Sequence, residues 1–109
     1  MREFTELTTI QMVDDFLNNH ELKFIYISRQ DCTVCHALKP KIQQLLEQYP
    51  FIDLGHVDAE IVEEVAGRFL VFTVPSLLFI KGEKELIREN RFVRIGKLKE
   101  QLDNLIHTL

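Results

Sequence analysis

The amino-acid sequence predicts an α/β fold: a central mixed sheet in the order β-α-β-α-β-α-β-β-α, with helices on both faces. Three observations carry that prediction. Strand-like and helix-like apolar patterns alternate along most of the chain, which calls for parallel strands covered by their crossover helices. A Lys81-Gly-Glu-Lys84 turn follows the apolar run Ser76–Ile80 and adds an antiparallel hairpin at one edge. No repeat, low-complexity tract or Gly/Ser linker interrupts residues 1–109, so a single domain is expected over that span.

Residues 3–7 suit a short first strand. Thr8-Thr-Ile-Gln11 has capping-box spacing, and Ile10, Val13, Phe16 and Leu17 form the apolar stripe of a first helix. Lys23–Ser28 is a nearly unbroken apolar, β-favouring run, as in a strand buried on both faces. A second helix follows to Tyr49, with Val34, Leu38, Ile42, Leu45 and Leu46 at helical spacing and a kink expected at Pro40. Phe51–Asp58 reads as a third strand, and Ile61, Val62, Val65, Ala66 and Phe69 as a short third helix. The last helix carries Ile95, Leu98, Leu102, Leu105, Ile106 and Leu109 on one stripe. The aromatic residues, eight of them Phe, fall at core spacings, and Gly82 is a hairpin-turn glycine.

Composition narrows the function. A formal charge of −4, with Lys and Arg scattered, argues against nucleic acid, and the mixed-sign run Glu83–Arg91 reads as a solvated strand or turn. No stretch has the length of a signal peptide or membrane span, so a cytoplasmic address and no membrane partner are expected. In a reducing compartment, two close cysteines suggest catalysis or metal binding more than a structural staple.

The two cysteines, Cys32 and Cys35, stand three apart after a strand and at the start of a helix. On a helix that spacing puts both sulfurs on one face, within disulfide reach. Unpaired N–H groups and the dipole at a helix start favour a thiolate. Thiol–disulfide exchange follows: the thiolate of Cys32 attacks a disulfide, and the more buried Cys35, on the face of Leu38 and Ile42, resolves the mixed disulfide. Asp31 is expected to cap the helix, and His36, four residues after Cys32, either to favour the thiolate when protonated or to face solvent. Thr33 and Val34 separate the cysteines. Tyr26 suits the core, with a partner needed for its hydroxyl. His20 is expected in a loop, and His56 and His107 exposed.

The element order, Cys-x-x-Cys after the second strand, Pro40, Asp58 and Thr73-Val74-Pro75 before the hairpin together resemble the thioredoxin family over essentially the whole chain. The resemblance implies a thioredoxin fold, protein-disulfide reduction through a Cys32–Cys35 couple, and a cis bond before Pro75. It also implies that the segment Thr73, Val74 and Pro75 binds substrate, with Val74 pairing with the substrate chain. No bound cofactor or metal is implied. The partners implied are disulfide-bearing proteins and a thiol reductase or low-molecular-weight thiol as electron donor, for a monomer.

The chain also departs from the pattern: Asp31-Cys-Thr-Val-Cys-His36 replaces Trp-Cys-Gly-Pro-Cys-Lys, so that Thr33 and Val34 in place of Gly-Pro should shift the redox potential, and there is no tryptophan. The buried Asp before the first cysteine is Tyr26. Its usual lysine partner, counted back without gaps from Asp58, falls on Leu54, and the glycine after the last strand falls near Glu89-Asn90. Loss of the Asp and Lys predicts slow resolution by Cys35.

Three rival readings share these residues. Cys32-Thr-Val-Cys-His36 matches the haem-attachment pattern, but Met1 and Met12 both precede it, so a second axial ligand would have to be a histidine such as His56 or His107. A Cys32, Cys35 and His36 metal site would need adjacent residues on different helix faces to converge. A non-catalytic thioredoxin-fold interaction module would use the fold without the chemistry.

Overall fold

The computed structural model describes residues 2–108; Leu109, assigned by pattern to the last helix, lies outside them. The elements are β1 (Thr5–Glu6), α1 (Ile10–Asn19), β2 (Leu22–Ser28), α2 (Thr33–Leu46), β3 (Asp53–Asp58), α3 (Val65–Phe69), β4 (Ser76–Lys81), β5 (Lys84–Glu89) and α4 (Ile95–His107). The strands form one five-stranded sheet in the order β1-β3-β2-β4-β5. Both β1 and β2 run parallel to β3, while β4 is antiparallel to β2 and β5.

The central place of β2 explains its apolar run, because successive side chains serve two different cores. Phe24 and Tyr26 join Ile42 and Leu46 of α2 and Leu98 and Leu102 of α4 on one face. Ile25 and Ile27 join Val13 and Phe16 of α1 and Val65 and Phe69 of α3 on the other. Lys23 is buried among them, its ammonium donating to the Leu17 and Gly82 carbonyls at 2.6 and 2.5 Å. Burial lowers its pKa from the ordinary value.

Four sequence expectations are corrected. The cap of α1 is Thr9, whose Oγ1 accepts from the Met12 N–H at 3.1 Å, while the Thr8 hydroxyl turns to the Met12 sulfur. The third strand begins at Asp53, two residues later than Phe51. The third helix begins at Val65, because the Asp58 carbonyl accepts from the Ile61 and Val62 N–H groups and holds that stretch as a turn. Ile61 is consequently 63% exposed. Not all the aromatics are core: Phe51, Phe72 and Phe92 are exposed. The hairpin turn is Gly82-Glu83, with Gly82 at φ +58, the left-handed region that glycine enters without steric cost.

Candidate active site

The site is built where β2 ends and α2 begins. Cys32 is itself the N-cap of α2, with an extended backbone (φ −100, ψ 102) and a sulfur that accepts from the Cys35 N–H at 3.1 Å. The expected cap, Asp31, is displaced from that role and pairs instead with Arg29 Nε at 3.3 Å. Cys32 and Cys35 are joined in a disulfide with their Cα atoms 5.2 Å apart. Burial separates them: Cys32 is half-buried, whereas Cys35 is 2% exposed. Thr33 is exposed and Val34 half-buried between them, and Pro40 stands inside α2. A proline there removes one backbone bond, to the His36 carbonyl one turn earlier.

Tyr26 lies fully buried beneath the pair, and its hydroxyl donates to the Cys35 carbonyl at 2.6 Å. Burial pushes this phenol well above its ordinary pKa of 10.0, so it is neutral at physiological pH. His36 is exposed, and its Nε2 is within 2.7 Å of the Gln30 carbonyl, which ties the helix start to the preceding loop. Since a carbonyl only accepts, Nε2 carries the proton.

The Thr73-Val74-Pro75 segment reaches the same end of the sheet. Ser76, which follows it, is paired with Ile27 near the C-terminal end of β2, and its hydroxyl donates to the Thr73 carbonyl at 2.8 Å. The Val74–Pro75 peptide bond is cis. Val71, Phe72, Thr73, Val74 and Phe92 line an open groove of about 1140 Å³ with Arg29 at its rim. Phe72 and Phe92 stand 83% and 80% exposed there. The sequence hides them: Phe72 stands three residues after Phe69 and Phe92 three before Ile95, both at the spacing of a helical stripe.

Leu54 lies abreast of Phe24, and His56 abreast of Tyr26. One expectation about β3 is also corrected. His56 is not a solvent-facing side chain: it is 12% exposed, with Nε2 2.6 Å from the Ser28 hydroxyl and Nδ1 2.6 Å from a Glu6 carboxylate oxygen. The Phe4 and Tyr26 rings stand 5.9 and 6.0 Å from its own. The available signal was Leu54, which shares a strand face with His56 and is apolar. His20 caps the end of α1 and pairs with Asp53 at 2.8 Å, and His107 is exposed.

Among the described residues, no three His, Cys, Asp or Glu side chains are grouped to hold a metal ion, and no helix is long and apolar enough to cross a membrane.

The thioredoxin family model matches residues 4–107. The chain is 48% identical over 102 residues to the thioredoxin-like protein YdfQ of Bacillus subtilis, covering 94% of this chain and 91% of that one. It is 27% identical to thioredoxin-1 of Saccharomyces cerevisiae over 77% of this chain and 82% of the relative. Among solved structures, Fasciola hepatica thioredoxin is similar with a TM-score of 0.81 and 27% identity, covering 93% of this chain and 98% of that one. Thioredoxin from Trypanosoma brucei brucei shares the fold at a TM-score of 0.83 and 16% identity, over 96% of this chain and 92% of its own.

Proposed function

The chain belongs to the thioredoxin family of thiol–disulfide oxidoreductases, and from that premise we propose that it reduces protein disulfides with Cys32 as nucleophile and Cys35 as resolving thiol. The observation that carries this reading is the asymmetry of the pair: a half-buried Cys32 at the N-cap of a 14-residue helix, bonded to a buried Cys35. Only the outer sulfur is open to a macromolecular disulfide, and its position at the helix start favours a thiolate.

In the first step the Cys32 thiolate attacks one sulfur of the substrate disulfide, forming a mixed disulfide and releasing the other sulfur as a thiolate. In the second, Cys35 loses its proton and attacks Cys32. The Cys32–Cys35 bond forms, the mixed disulfide breaks, and both electrons have passed to the substrate. A thiol reductase or low-molecular-weight thiol then returns the pair to the dithiol form.

The groove beside Thr73, Val74 and Pro75 fits the substrate chain: the backbone of Val74 offers strand-like pairing, and exposed Phe72 and Phe92 offer apolar contact. Asp31, Thr33, Val34, His36 and Tyr26 tune the couple, with Tyr26 fixing the Cys35 peptide and His36 fixing the loop before Cys32. The protein acts as a monomer in the cytoplasm in this reading.

The test uses insulin as a defined disulfide substrate. Cys35→Ser accumulates a one-to-one mixed disulfide through Cys32, and Cys32→Ser does not. The reverse pattern refutes the assignment of roles, and a failure of the unsubstituted protein to accelerate insulin reduction by dithiothreitol refutes the reductase reading.

A further inference from the structure

Cys35 must lose a proton before it can resolve the mixed disulfide, and the residue directly beneath it cannot accept one. The Tyr26 hydroxyl is already committed as a donor to the Cys35 carbonyl. Cys35 is 2% exposed, and apolar burial disfavours a charged thiolate, so the resolving step calls for a proton acceptor.

An unused proton acceptor borders the same space. Cys35, Ser28, His56 and Glu6 all line one open cleft of about 280 Å³, room for several waters. The hydrogen bonds assign the roles. The Glu6 carboxylate only accepts, so His56 Nδ1 carries a proton and donates it at 2.6 Å. His56 Nε2 is then a free lone pair, and the Ser28 hydroxyl donates to it at 2.6 Å. When the ring takes up a second proton, Nε2–H donates to Ser28 Oγ and the hydroxyl hydrogen turns into the cleft. Both protonation states are therefore fully hydrogen-bonded in place, and the carboxylate offsets the charge of the imidazolium.

We propose that Glu6, His56 and Ser28 form a proton relay for the resolving step, with His56 as the base that receives the Cys35 proton through Ser28 and a cleft water. This rests on the Cys32–Cys35 exchange reading. The proton leaves Cys35 Sγ for water, water passes one to Ser28, and Ser28 passes its own to His56 Nε2. The Cys35 thiolate then forms the bond to Cys32, the substrate leaves as a thiolate, and the imidazolium returns the proton to it. The titratable groups that line the cleft with His56 are Glu6 from β1, Tyr26 from β2 and Asp58 from its own strand, with Cys35, His36 and Lys39 from α2. Arg29 lines the cleft beyond them, and Lys39 Nζ lies 3.9 Å from Glu6.

The test is stopped-flow reaction of the dithiol protein with 5,5′-dithiobis(2-nitrobenzoate) from pH 6 to pH 10. The first, concentration-dependent release of thionitrobenzoate reads attack by Cys32, and the second, concentration-independent release reads resolution by Cys35. His56→Gln slows the second phase by about tenfold to a hundredfold at pH 7, and the two proteins converge at the alkaline end, where the thiol ionises unaided. Glu6→Gln, altered at the open end of the relay, loses several-fold at pH 7 with the same convergence. A loss equal at every pH marks a structural role and overturns the relay, as does an unchanged second phase in both variants. Absence of the first phase in the unsubstituted protein overturns the exchange reading itself.

Discussion

Tyr26→Phe removes one oxygen from the floor of the site and little else. The ring stays in the core against Phe4, whose centroid lies 5.6 Å away, and Cys35 keeps its place in the helical ladder. The direct loss is the 2.6 Å bond to the Cys35 carbonyl, worth about 1 kcal/mol net. A second effect depends on pH and has the opposite sign. The folded phenol titrates well above 10.0, whereas the unfolded one titrates near it, so above that pH the folded state holds the extra proton. The stability due to Tyr26 is therefore complete below pH ~10 and falls as pH rises, by about 1.4 kcal/mol at pH 11. Phenylalanine lacks this term. In urea titrations of the oxidised proteins, the variant is less stable by about 1 kcal/mol at pH 7, and the difference vanishes or reverses near pH 11. Lys23, whose lowered pKa changes stability in the opposite sense with pH, is common to both proteins and cancels. Parallel stability curves from pH 7 to pH 11 would refute the assignment of a neutral, donating, buried phenol.

Replacing Phe72 and Phe92 together with Ala removes the exposed rings of the groove; the KM for insulin rises about fivefold while kcat holds within twofold, and an equal fall in both parameters argues against a docking role. Gly55→Ala places a methyl 3.0 Å from both Leu7 Cδ1 and Phe16 Cε2, contacts that the neighbours must open to relieve. The expected loss is about 1–3 kcal/mol in a denaturant titration, and a variant as stable as the parent contradicts close packing of α1 on β3.

The parts of the fold readable in the sequence were those in which one period runs long enough to dominate. β2 advertised its central place through an unbroken apolar run, and α2 and α4 through stripes such as Leu38-Ile42-Leu45 and Leu98-Leu102-Leu105. α3 was overestimated because Ile61 and Val62 fit a helical stripe that the Asp58 carbonyl breaks by closing a turn. The cysteine pair announced its chemistry through spacing and placement. His56 did not, because its surroundings come from three separate strands: Glu6 on β1, Ser28 at the end of β2, and its own position on β3. Strand register is a tertiary property, and counting along a single segment does not show that His56 lies abreast of Tyr26.

That dependence on register makes β1 the weak link of the relay. A two-residue strand contributes little holding energy, so Glu6 is positioned by its neighbours. Phe4 and Leu7 bury themselves on opposite faces of the sheet on either side of β1. Farther out, Arg2 donates to the Leu46 and Tyr49 carbonyls at 3.1 and 3.0 Å, closing the C-terminal end of α2, and Gln43 donates back to the Arg2 carbonyl at 2.9 Å. Arg2→Ala removes the first pair of bonds and leaves every relay group chemically intact. The expected result is a loss of about 1 kcal/mol in global stability, with faster amide exchange at Leu7, whose N–H donates to the His56 carbonyl. A second phase of thionitrobenzoate release that slows at pH 7 and recovers at pH 10 would follow from looser placement of Glu6. If amide exchange at Leu7 rises while that phase is unmoved at every pH, Glu6 does not need β1 to act, and positioning of the relay through the edge strand is wrong.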